Sequence, residues 1–110
     1  MHFDPNNNVI RLCTKGMELE ASQNLDEARQ LFLQAWNEAT NDFEKFTAAH
    51  YVARSQNSVE DKLKWDETAL ALALKIDDDT VHASYPSLYL NVAKCYEDLN
   101  ELDKAKKYYQ

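Results

Sequence analysis

A small residue recurs along this chain at Gly16, Ala49 and Ala93, each followed three residues later by a larger apolar one: Leu19, Val52 and Tyr96. The steps are 33 and 44 residues. A second series sits between them, where Ala28 and Ala105 are each followed four residues on by an aromatic ring, Phe32 and Tyr109. Offsets of three and four both keep residues on one face of a helix, whereas an offset of three changes face in a strand. Small side chains flanked by large ones let two helix backbones approach closely. A chain so spaced must build helix pairs and then stack the pairs on one another.

Composition agrees. Gly occurs once and Pro twice in 110 residues, too few for a turn-rich β fold. The length suits one domain with a modest core. The apolar positions predict six helices. The first runs from Val9, capped by Asn8, through Leu12, Gly16 and Leu19 to about Ala21. The second comes after the corner Ser22-Gln23-Asn24, carries Leu25, Ala28, Leu31, Phe32, Ala35 and Trp36, and ends near Thr40. Asn24 with Glu27, and Asn41 with Glu44, have capping-box spacing. The third helix carries Phe43, Phe46, Ala49 and Val52; the fourth runs from about Val59 through Leu63, Trp65 and Leu70 to Ile76. Pro86 suits the first turn of the fifth. That helix carries Tyr89, Val92, Ala93 and Tyr96 and turns at Leu99-Asn100 into a sixth with Leu102, Ala105 and Tyr109.

Gly16 costs roughly 1 kcal/mol in a helix interior relative to Ala. The expected return is close approach of a neighbouring backbone, with a local kink as the alternative. Asp77-Asp78-Asp79 sits badly at a helix C-terminus and well at an N-terminus, so it either stops the fourth helix or opens the next element. Residues 1–8 read as a flexible lead-in and 9–110 as a single domain. Its repeats span about 9–41, 42–76 and 85–110, with an insertion at about 77–84.

At this period the chain resembles the tetratricopeptide repeat family, in particular small bacterial members of undefined activity. The segments Ala48-Ala49-His50-Tyr51-Val52-Ala53-Arg54 and Tyr85-Pro86-Ser87-Leu88-Tyr89-Leu90-Asn91 carry the latter likeness. The resemblance implies an all-α fold of three antiparallel helix pairs stacked as a right-handed superhelix. Repeat two fits least. Its second helix places Trp65 at the aromatic position with a shift of 33, but Ala69 at the position of Ala35 with a shift of 34. One residue of slack in the Gln56–Ser58 corner would reconcile the two.

The same resemblance implies a concave surface lined by the first helix of each pair. Its matching residues include Cys13, Met17 and Glu20, then Phe46, His50 and Arg54, then Leu90, Asn91, Lys94 and Glu97. Of these, Met17, Phe46, His50, Arg54, Asn91 and Lys94 are the candidate partner-binding residues. His50, Arg54 and Lys94 could together hold a peptide carboxylate, or could simply pair with local acids on a solvated face. The Lys and Asn clamp that some relatives use for acidic chaperone tails is missing, since Cys13, Met17 and Thr47 stand at its positions.

The net charge of -7 is spread over both halves, which disfavours nucleic acid and anionic lipid. Cys13 and Cys95 lack metal-ligand spacing, and His2, His50 and His82 are scattered, so no metal, cofactor or catalytic set is expected. No signal-peptide pattern or membrane span is evident, and a cytoplasmic protein with free thiols is the default. The expectation is therefore a non-enzymatic scaffold for a peptide or protein partner. The alternative is a self-association module: the sixth helix is short, and Leu102, Tyr108 and Tyr109 would be left uncovered unless the chain continues or another copy packs there.

Overall fold

The computed structural model describes residues 6–109. Among them are seven helices and no strand: α1 Asn8–Ala21, α2 Leu25–Glu38, α3 Asp42–Arg54, α4 Val59–Ala73, α5 Asp79–His82, α6 Tyr85–Asp98 and α7 Leu102–Tyr109. Helices α1 and α2, α3 and α4, and α6 and α7 form the three pairs, with α5 between the second and third. Most of the expected lead-in, residues 1–5, lies outside the described residues.

Helix starts reflect local chemistry. The cap of α1 is Asn7, one residue before the expected Asn8, and its side chain accepts from the Ile10 N–H. Asn41 caps α3 by accepting from the Glu44 N–H at 2.8 Å. The reciprocal arm differs from a capping box, because the Glu44 carboxylate accepts from Thr40 N–H and from the Asn7 amide. These bonds hold the Glu44 carboxyl below its usual range and tie the start of α1 to the start of α3. Asn24 makes no side-chain cap bond, so the expected Asn24–Glu27 capping box does not form.

Two corners are built alike. Gln23 and Asn100 have φ of 70° and 61°, and each comes just after a helix end. Asn24 N–H donates to Leu19 C=O and Gln23 N–H to Glu20 C=O; Glu101 N–H donates to Tyr96 C=O and Asn100 N–H to Glu97 C=O. Both are Schellman closures, in which a left-handed residue lets the chain satisfy the last carbonyls and reverse. The middle corner lacks such a residue and is one residue longer. From Ala21 to Arg54 the helix ends step by 33, while from Leu25 to Val59 the starts step by 34. The slack sits in the Gln56–Ser58 corner. It sets Lys62, Asp66 and Ala69 at the places of Ala28, Phe32 and Ala35.

Helix α4 ends at Ala73 rather than Ile76, so the acidic run does not stop it directly. Asp78 instead caps α5, accepting from Thr80 and Val81 N–H. The insertion is pinned from within: Ile76 and Val81 are both buried in the larger apolar cluster. That cluster fills the second and third pairs, and a smaller one joins the first and second. Trp36 and Trp65 touch both, edge to face with ring centroids 5.0 Å apart.

Gly16 faces the Phe32 ring, not a backbone. A Cβ built there would lie 2.4 Å from Phe32 Cε1, and that ring is fully buried and stacked on Tyr51 at 5.3 Å. Gly16→Ala gains about 1 kcal/mol of helix propensity but forces the ring to shift, at about 1–3 kcal/mol. The expected net loss is about 0–2 kcal/mol in chemical denaturation. A stabilised variant would show that the ring yields freely.

Candidate functional site

The first helices of the three pairs line a groove made of two joined cavities. The larger, about 440 Å³, lies between α3 and the α5–α6 junction and is lined by Phe46, Thr47, His50, Tyr51, Ala83, Ser84, Ser87 and Leu88. The smaller, about 200 Å³, lies between α1 and α3 and is lined by Ile10, Cys13, Thr14, Met17, Thr47 and Tyr51. Thr47 and Tyr51 belong to both, so they form the saddle of one trough.

The trough is apolar and hydroxylated, with no free charge on its lining. Burial pushes the His50 imidazole below its usual range; Arg54 and Lys62 act the same way, against the opposing pull of Asp66. His50 is therefore neutral at pH 7. Burial raises the Tyr51 phenol and pushes the Cys13 thiol up to about 12, so both stay protonated. Arg54 is held at the rim, its Nη2 3.1 Å from Glu20 Oε1 and its guanidinium over the Tyr51 ring.

Met17, Phe46 and His50 thus line the trough. The three-cation docking point does not assemble: His50 is neutral and Arg54 is paired. The charges that bear on His50 are Arg54, Asp66 and Lys62, with Lys94 not among them. Asn91 is half-buried and Lys94 exposed on α6, and neither lines either cavity.

A third cavity, about 390 Å³, opens at the far end between α6 and α7. It is lined by Tyr85, Pro86, Tyr89, Leu90, Tyr108 and Tyr109. Tyr108 is half-buried and stacked on Tyr96 at 5.5 Å, and the Tyr109 hydroxyl donates to Glu97. Leu102 is 59% exposed but lies outside this cavity; Leu25, at the same place in the first pair, is 56% exposed. Val59, at that place in the second pair, is half-buried against the larger cluster.

One cluster is not visible in the sequence pattern. Asp66, 4% exposed, accepts from Lys62 Nζ at 2.6 Å and from the Cys95 thiol at 3.5 Å, joining α4 to α6. Burial pushes the Cys95 thiol up to about 11, with the Asp66 carboxylate adding to this and Lys62 opposing it. The thiol is a donor here, not a nucleophile. The signal that could have found it is spacing: an Asp and a Lys four apart fall on the core face once the register of the fourth helix is settled.

Helix pairs in this order, with small residues where the pairs meet, have counterparts in other proteins. Residues 86–110 match the family model of the tetratricopeptide repeat. The crystal structure of the TPR domain of Arabidopsis FLU superposes with a TM-score of 0.73 at 20% identity, over 93% of this chain and 88% of that one. The fold is that of a tetratricopeptide-repeat domain. No curated protein matches the sequence. A repeat domain of this kind is in general a protein-interaction module. No helix among the described residues is long and apolar enough to cross a membrane.

Proposed function

We propose that this repeat domain is a non-enzymatic scaffold that holds an uncharged, apolar-anchored peptide segment of a partner protein in the trough along α1, α3 and α6. The observation that carries this reading is that the two neighbouring cavities share Thr47 and Tyr51 in their linings, with hydroxyls and a neutral imidazole as the polar groups. An extended peptide would place its larger side chain over Phe46 and Leu88 and a smaller one beside Cys13 and Met17. The hydroxyls of Thr14 and Ser87 and the His50 ring would serve its backbone. A carboxylate anchor is disfavoured, because the one guanidinium at the rim already holds Glu20. Catalysis is disfavoured too, as both thiols stay protonated at neutral pH.

The test is peptide selection from a random display library. Thr14 and Ser87 are exposed, so Thr14→Arg and Ser87→Arg block the trough without disturbing the core. Selected peptides should be poor in charge and should lose at least about tenfold in affinity to either variant, a change of about 1.4 kcal/mol. Peptides that bind both variants as tightly as the parent would place the partner surface elsewhere.

A further inference from the structure

The larger cavity of the trough has two unlike sides. From α3 come three rings, Phe46, His50 and Tyr51, the last two edge to face at 5.3 Å. From the α5–α6 junction come the small groups of Ala83, Ser84 and Ser87, beside the buried Leu88. Ala83 and Ser84 belong to the segment that lengthens the second repeat step to 44 residues. That segment is fastened at several points. Ile76 and Val81 are buried, the Tyr85 hydroxyl donates to Ala73 C=O at 3.2 Å, and Ser84 N–H donates to Val81 C=O at 2.9 Å. The wall is therefore formed in advance, which keeps the ordering cost of binding low.

The polar groups of this cavity are not equally engaged. The Thr47 hydroxyl donates to Phe43 C=O at 2.9 Å, and the Ser84 hydroxyl reaches Thr80 C=O at 3.4 Å. The His50 ring nitrogens and the Tyr51 hydroxyl have no hydrogen-bond partner among the described residues, and none of these atoms is sealed from solvent. A neutral imidazole carries one donor and one acceptor. An occupant that expels the water from them without returning a hydrogen bond loses affinity. An aliphatic side chain returns none. A carboxylate or ammonium meets no counter-charge, since the lining is uncharged and Arg54 at the rim holds Glu20. An aromatic ring with a hydrogen-bonding tip meets both demands, packing on the α3 rings while its tip replaces the water. At about 440 Å³ the cavity has room for one such side chain.

We propose that this cavity is the anchor pocket for one tyrosine or tryptophan side chain of the partner peptide, with Ala83 and Ser84 as its selective wall and His50 as the hydrogen-bond partner of the anchor's tip. The assignment rests on the trough being a peptide site and names the side chain that the site selects.

The probes are blocked tripeptides, acetyl-Ala-Z-Ala-amide with tyrosine, tryptophan, phenylalanine, leucine or glutamate at Z. They are titrated into the isotope-labelled chain and followed by amide chemical shifts. The tyrosine and tryptophan probes should shift the amides around Thr47 and Ser84. They should bind at least about fivefold more tightly than the leucine and glutamate probes, and tyrosine about three- to tenfold more tightly than phenylalanine. In His50→Phe, which keeps a ring, the preference for tyrosine over phenylalanine should fall below about twofold. Ala83 is exposed, so Ala83→Leu narrows the pocket without entering the core and should weaken both favoured probes more than about tenfold. Equal affinity for all five probes, or a tyrosine preference that survives His50→Phe, would overturn the anchor pocket and leave the trough as a peptide site. Absence of shifts with every probe would overturn it as well. The trough itself falls only if the library peptides also ignore Thr14→Arg and Ser87→Arg.

Discussion

Replacing Lys62 by Ala is expected to lower the unfolding free energy by about 2–3 kcal/mol, although Ala is what the first and third pairs carry at that place. The Asp66 carboxyl, 4% exposed, would lose its 2.6 Å partner and retain only the weak Cys95 thiol donor at 3.5 Å. Breaking a fully buried pair costs about 3–5 kcal/mol; the Lys62 side chain is 36% exposed, so water softens the loss. The reverse change, Asp66→Ala, should cost less, because a half-exposed ammonium can swing into solvent. The double variant Lys62→Ala with Asp66→Leu replaces the pair by apolar side chains without setting a ring against the Ala49 methyl. It should recover the parent stability or exceed it, since apolar replacement of a buried pair is often neutral or better. Urea denaturation monitored by circular dichroism reads all four proteins. Lys62→Ala at parent stability would mean that water reaches Asp66.

The same three residues show why some of the molecule is legible in its sequence and some is not. Small residues at Gly16, Ala49 and Ala93 and apolar residues three and four apart reveal helices and their pairing, because burial of a helix face is periodic. The corner at Gln56–Ser58 cannot be read in that way. A one-residue slip there is decided by turn geometry: Gln23 and Asn100 adopt the left-handed conformation, and the middle corner does without it. That slip moves Asp66 from an ordinary helix position to the core joint against α6. The electrostatics of the trough are likewise beyond sequence. His50 and Arg54 share a helix face by spacing alone, yet burial neutralises the first and Glu20 engages the second. The charge of the Asp77–Asp79 run suits a helix start, and Asp78 does cap α5, but nothing local shows that Val81 turns inward and anchors it.

Phe32→Ala is expected to cost about 3–5 kcal/mol, and Tyr109→Ala, its counterpart in the third pair, less than about 1 kcal/mol. Both rings come four residues after a buried alanine, Ala28 and Ala105. Their difference is what lies over them. Phe32 is enclosed by the face of Gly16 on one side and the Tyr51 ring on the other, so truncation opens a cavity at the joint of two pairs. Tyr109 has α6 beneath it and solvent above, and about half its surface is already in water. Thermal denaturation of the isolated chain measures both losses. Equal losses for the two variants would mean that the Gly16 face and the Tyr51 ring add nothing to the enclosure of Phe32.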